Sequence, residues 1–131
     1  MAPRKPKPVR VLIADDHRLF TEALEAILSA DERIEVVGHA GDGAEAVRLA
    51  ENLDPDVVLM DVSMPVLDGF EATQKIRAAG SDTLVVMLTG SNSQADVQQS
   101  RESGAAGYVT KDRIASELVD AIVEVAQRRL P

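Results

Sequence analysis

The stretch Asp56-Val57-Val58-Leu59-Met60-Asp61-Val62-Ser63-Met64-Pro65-Val66-Leu67-Asp68-Gly69-Phe70 decides the fold. Four consecutive apolar residues, Val57 to Met60, predict a strand buried on both faces of a parallel sheet, and they stop at a carboxylate. Asp61 thus stands where the strand leaves the core. Pro65 and the Asp68-Gly69 pair predict a loop leading into the next helix, with Gly69 permitting the turn. In an open α/β sheet the crevice beyond the carboxyl ends of the strands is where ligands bind, so Asp61 is a site candidate on position alone.

Working outward toward the amino end, Val9-Arg10-Val11-Leu12-Ile13-Ala14 predicts a first strand that ends at Asp15-Asp16. From about Arg18 to Ala30, Phe20, Leu24, Ile27 and Leu28 recur at helical spacing while Glu22 and Glu25 face out. A second strand fits Ile34 to Val37. Gly38, Gly41, Asp42 and Gly43 then predict a turn, and a helix follows from about Ala44 to Asn52 with Ala46, Val47 and Ala50 inward. Pro55 separates it from the central strand.

Toward the carboxyl end, a helix over Phe70 to Ala79 carries Phe70, Thr73, Ile76 and Arg77 at helical offsets and closes at Gly80. Leu84 to Leu88 is another doubly buried strand, ending at Thr89-Gly90. Ser93 to Ser103 has helical length but only Ala95 and Val97 as clear apolar residues, which predicts a weakly anchored helix. The last strand is Ala106 to Val109, with Thr110-Lys111-Asp112 at its exit. A final helix, about Ile114 to Arg128, buries the stripe Ile114, Leu118, Ile122 and Val125. Lys111-Asp112 is expected to supply its N-cap, and Arg128 and Arg129 suit its dipole.

Five strands alternate with five helices, and each crossover is long enough for a right-handed parallel connection, giving a three-layer α/β sandwich. At 131 residues the chain is one domain by length, able to bury roughly two thirds of its unfolded surface. Its 45% hydrophobic content is that of an ordinary globular protein. There is no cysteine, so neither a disulfide framework nor a thiolate metal site is available. No apolar run approaches the ~20 residues of a membrane-spanning helix. The first eight residues are basic and Pro-rich without the apolar segment of a secretory signal, and read as a disordered arm ahead of a domain over 9–131. A net charge of −8 opposes nonspecific binding to a phosphate backbone by this domain.

What ends the strands is chemically specific. Parallel strands bring Asp15, Asp16, Asp61, Thr89 and Lys111 to one edge of the sheet. Three carboxylates together repel one another, and a hard divalent cation with oxygen ligands, most naturally Mg2+, offsets that cost. Thr89 adds a hydroxyl donor and Lys111 a compact positive charge, groups suited to the oxygens of a phosphoryl moiety carried by Asp61. His17 reads as a loop or first-turn residue beside the acids. His39 has no metal-ligand spacing with it, and the glycines match no dinucleotide fingerprint.

From about Val9 to Ala126 the sequence resembles the receiver domain of two-component response regulators. The resemblance rests on Leu12-Ile13-Ala14-Asp15-Asp16, Leu59-Met60-Asp61 through Asp68-Gly69, Leu88-Thr89-Gly90, and Gly104-Ala105-Ala106-Gly107-Tyr108-Val109-Thr110-Lys111-Asp112. It implies a flavodoxin-like (βα)5 fold with strand order 2-1-3-4-5. It implies that Asp61 accepts a phosphoryl group from a phosphohistidine of a sensor kinase or phosphotransfer protein. Asp15, Asp16, Asp61 and the backbone carbonyl of Ser63 would hold Mg2+, and Lys111 would pair with the phosphoryl oxygens. On activation Thr89 would move toward the phosphoryl group and Tyr108 would rotate inward, changing a partner or homodimer surface on the fourth helix, fifth strand and fifth helix. Taken alone, Tyr108 reads as a partly buried core aromatic.

Asp15-Asp16-His17-Arg18-Leu19-Phe20 and Gly107 to Asp112 are similar to receivers that precede a C-terminal helix-turn-helix transcription module. The resemblance therefore implies a cytoplasmic transcription regulator that reaches DNA only through an output domain outside this chain. A stand-alone relay or interaction receiver is the alternative. Ser63 and Ser91, two residues past Asp61 and Thr89, occupy the family's positions that tune dephosphorylation. A phosphoaspartyl hydrolase would normally carry a second Asp where Ser63 stands, as general acid. The expectation is self-phosphorylation and slow autodephosphorylation without turnover as an enzyme.

Overall fold

The computed structural model describes residues 7–64, 66–90 and 94–128. The expected arm over residues 1–8, apart from Lys7 and Pro8, lies outside the described residues, as do Ser91 and Arg129. The elements are β1 (Val9–Ala14), α1 (Arg18–Ser29), β2 (Ile34–Ala40), α2 (Gly43–Leu53), β3 (Val57–Asp61), α3 (Gly69–Ala78), β4 (Leu84–Thr89), α4 (Gln94–Glu102), β5 (Gly107–Thr110) and α5 (Ile114–Arg128). All strand pairs are parallel, and the order is β2-β1-β3-β4-β5, that of the flavodoxin-like doubly wound sheet.

Each face of the sheet has its own core. Val11, Ile13, Val57, Leu59, Val86 and Leu88 point to the layer of α1 and α5, and meet Leu24, Leu28, Leu118 and Ile122. Their sequence neighbours Leu12, Val58, Met60, Val85 and Met87 point to the opposite layer, against Ala46, Ala50, Phe70 and Ile76 of α2 and α3. This alternation is why the strands read as unbroken apolar runs: both sides of the pleat are covered.

Two expectations need correction. β2 does not stop at Val37 but runs on through Gly38, His39 and Ala40. Val11 pairs with Val36 while Leu12 pairs with Gly38, so Val37 is the extra residue of a β-bulge and the ladder resumes beyond it. Gly38 is held in the strand by its pairing with Leu12, and a Cβ there would come within 3.1 Å of Leu53 Cδ1. Nor does Lys111-Asp112 cap α5. Lys111–Arg113 forms a 3-10 turn that runs straight into the helix, and Thr110 ahead of it makes no side-chain capping bond.

The caps that do form sit on α2 and α3. The Asp42 carboxylate accepts from Glu45 N at 2.8 Å, and Glu45 reaches back to accept from Gly41 N at 3.2 Å. Asp68 accepts from Glu71 N at 2.9 Å. α4 is anchored weakly, as its composition predicts. Ala95 is exposed and Val97 only half-buried, while the buried face carries Ser100, whose hydroxyl donates to Asp96 O at 2.9 Å.

Candidate functional site

β1 and β3 are adjacent and in register through Ala14 and Met60, so Asp15 and Asp61 emerge side by side at the carboxyl edge. Both are buried, 3% and 2% exposed, whereas Asp16 is exposed. One donor atom each from Asp15, Asp16, His17 and Asp61 lies within 4.8 Å of the others. Asp15 Oδ2 and Asp61 Oδ2 are buried without a hydrogen-bond partner among the described residues. A buried carboxylate oxygen left unpaired is costly, and a cation removes the cost. The donors are mostly hard oxygens, so the cluster fits a divalent ion of the Mg2+ type.

Lys111 completes the site. Its Nζ lies 3.3 Å from Asp61 Oδ1 and 4.8 Å from the centroid of the Phe20 ring. Ser63 is exposed, and its backbone N–H donates to the same Asp61 Oδ1 at 3.3 Å. Burial and then the Asp15 charge push the Asp61 carboxyl above the usual range, while Lys111 and the Ser63 amide pull it back. The site therefore holds a carboxylate whose charge is only partly compensated.

The loop after β3 is locked by close approach. Val62 N donates to Leu88 O at 3.1 Å and Gly69 N to Val62 O at 3.0 Å. A Cβ on Gly69 would overlap the carbonyl oxygen of Asp61, and one on Gly43 would overlap that of Leu67. Only glycine lets α3 start this close to the strand tip and α2 start this close to the loop that follows it. Between them Val66 is held at φ +70°, a left-handed conformation that a β-branched residue rarely adopts.

The remaining predicted residues are placed less centrally. Leu88 is the register partner of Asp61, so Thr89, itself buried, lies one residue beyond on the next strand and pairs with Thr110 of β5. Tyr108 is not the core aromatic its type suggests. At 39% exposed it faces outward and lines a cavity of about 270 Å³ with Ser100, Arg101, Ala105 and Glu124, between α4 and α5. Ser91 lies outside the described residues.

His17 stands beside the acids, as its place in the sequence predicts. It stands at the N-cap position of α1, and its Nδ1 lies 3.1 Å from Asp16 Oδ1 and 3.3 Å from Asp15 Oδ1. The helical spacing of Phe20 predicts only a core side chain, yet its ring lies under the Lys111 ammonium. Its signal was present, since Phe20 begins one turn after the acids, but nothing in the sequence pairs it with a lysine ninety residues on.

The response regulator receiver domain model matches residues 11–123. The transcriptional regulatory protein LiaR of Bacillus subtilis is 45% identical over 114 residues, 87% of this chain and 54% of LiaR. The probable transcriptional regulatory protein NarL of Mycobacterium tuberculosis is 37% identical over 129 residues, 98% of this chain and 60% of that protein. The chain thus spans little more than half the length of these relatives. Among solved structures, the signal receiver domain of the putative response regulator NarL from Mycobacterium tuberculosis superposes with a TM-score of 0.89 at 38% identity, covering 93% of this chain and 98% of the other. A chain of the CheX-CheY complex with BeF3 and Mg2+ from Borrelia burgdorferi gives 0.83 at 26% identity, covering 91% and 90%.

Proposed function

Because this chain belongs to the response regulator receiver domain family, we propose that it is a phosphorylation-activated switch whose acceptor is Asp61. Receiver domains are signalling modules and not catalysts in the usual sense. The domain is read as 9–131, with 1–8 as an arm ahead of it. The donor is a phosphohistidine on a sensor kinase or phosphotransfer protein. An Asp61 carboxylate oxygen attacks phosphorus, a P–O bond forms as the P–N bond breaks, and the imidazole, protonated on its other nitrogen in the phosphohistidine, leaves with the bonding pair as a neutral ring.

Asp15, Asp16, Asp61 and the Ser63 carbonyl would hold Mg2+, which supplies positive charge to the phosphoryl oxygens. Lys111, already at the Asp61 carboxylate, would pair with the same oxygens. Thr89 would donate its hydroxyl to the phosphoryl group and Tyr108 would turn inward, resetting the surface of α4, β5 and α5. α4 suits that role because it buries no apolar side chain fully and opens at low cost. Ser63 and Ser91 would govern water access and hence phosphoryl lifetime. The relatives are transcription regulators, so the output is read as a C-terminal DNA-binding domain outside this chain, engaged through the switched surface with or without homodimerisation, in the cytoplasm.

The observation that carries the reading is the Lys111 ammonium 3.3 Å from a buried aspartate whose second oxygen has no partner among the described residues, inside an acidic cluster. It is tested by exposing the protein to a small phosphoramidate or acyl phosphate donor with and without Mg2+, followed by intact mass measurement. One phosphoryl group should be gained only with Mg2+, and none by Asp61→Asn. A gain that survives in Asp61→Asn, or no gain with Mg2+ present, overturns it.

A further inference from the structure

Lys111 reaches the acceptor from the end of β5, two strands along from β3, on a four-carbon stem with many rotamers, from a 3-10 turn that makes no side-chain capping bond. The end of β5 brings Lys111 to the acidic edge, but so flexible a stem leaves the ammonium's final place to its contacts. Nζ is held at two points, 3.3 Å from the carboxylate and 4.8 Å from the centre of the Phe20 ring. The ring is itself fixed: Phe20 is partly buried in the first two turns of α1 and packs against the apolar core of the α1 and α5 layer. The Lys111 side chain is 32% exposed, so the pair is not fully in open water, and attraction of a cation to an aromatic face strengthens as water is removed.

We propose that Phe20 is a positioning residue for phosphoryl capture, an aromatic seat that keeps the Lys111 ammonium beside Asp61 before the phosphoryl group arrives. This rests on the acceptor reading given above. An ordered ammonium loses less rotamer freedom when it engages the phosphoryl oxygens, and that saving appears as affinity for the group on Asp61. A leucine would fill the space without an electron-rich face, whereas a tyrosine would keep the face.

The test uses the full chain and beryllofluoride as the phosphoryl mimic, titrated at saturating Mg2+, with Mg2+ affinity measured separately. Phe20→Leu should weaken beryllofluoride binding roughly three- to tenfold and leave Mg2+ affinity within about twofold. Phe20→Tyr should restore it. In a Lys111→Met background Phe20→Leu should add no further loss. A loss of equal size in that background means that the ring only packs, and overturns the proposal, as does wild-type affinity in Phe20→Leu.

A second readout needs no phosphoryl chemistry. The ε-methylene protons of Lys111 should show an upfield ring-current shift by NMR that disappears in Phe20→Leu. Its absence in the wild type overturns the seat directly. If the shift is present but beryllofluoride does not bind, or binds Asp61→Asn equally well, the failure lies in the acceptor reading and the capture role falls with it.

Discussion

Met60 and Asp61 are neighbours on β3 and almost equally hidden, 0% and 2% exposed, yet they belong to regions built on opposite terms. Met60 and the three residues before it meet apolar side chains on both faces of the sheet. Asp61 meets a second buried carboxylate, one ammonium and one amide, and retains an oxygen with no partner among the described residues. One peptide step separates burial that stabilises from burial that costs. The interior is where the fold draws its stability, and the strand tips are where part of it is given up to keep a carboxylate buried.

The largest test of this contrast lies in the interior. Leu59→Ala empties a fully buried position between β1, β4 and the α1 layer, and should cost about 2–5 kcal/mol in urea unfolding. A loss under about 1 kcal/mol would show that the core is not close-packed there. Next comes Gly69→Ala, whose added methyl has to displace the Asp61 backbone. It should cost about 1–3 kcal/mol and shift the amide resonances of Asp61 and Val62.

Asp61→Asn should act in the opposite direction. The carboxyl is raised from its ordinary 3.8, so the folded state holds the proton more tightly than the unfolded chain does. The stability this contributes is full below the unfolded value and is lost as pH rises through the folded one. In metal-free buffer the Asn variant should therefore be the more stable protein at neutral pH. Its advantage should shrink as pH falls toward 4 and below. Added Mg2+ should narrow the gap at neutral pH by stabilising the wild type more. Equal melting curves across that range would remove the electrostatic cost from the strand tip.

The smallest expected effect is a gain. Val66→Asn relieves a left-handed backbone at an exposed position and should add about 0.5–1 kcal/mol, or a few degrees in Tm. If the strain matters only to stability, phosphoryl uptake should not change.

The sequence was most readable where one physical cause acted alone. β1, β3 and β4 announce themselves because two covered faces demand unbroken apolar residues, and the carboxylates show where cover ends. α5 is legible from its single stripe. The continuation of β2 was hidden because the run of glycines and Asp42 signals a turn locally, whereas pairing with β1 keeps Gly38 in the ladder. The 3-10 turn at Lys111 was hidden because capping is decided by one or two dihedral angles that composition does not report. Asp15, Asp16, Asp61 and Lys111 could be placed together from strand ends alone. His17 and Phe20 could not be assigned their contacts, because those depend on how α1 is rotated against the sheet.

The bulge in β2 has a consequence far from the chemistry. β2 and β5 are the two outer strands, and an outer strand with a free hydrogen-bonding row invites another molecule to add to it. Here one border is kinked at Val37 and carries exposed Glu35 and His39, while the other is only four residues long. Neither offers a long straight template, which guards this sheet against edge-to-edge pairing with another copy of the chain.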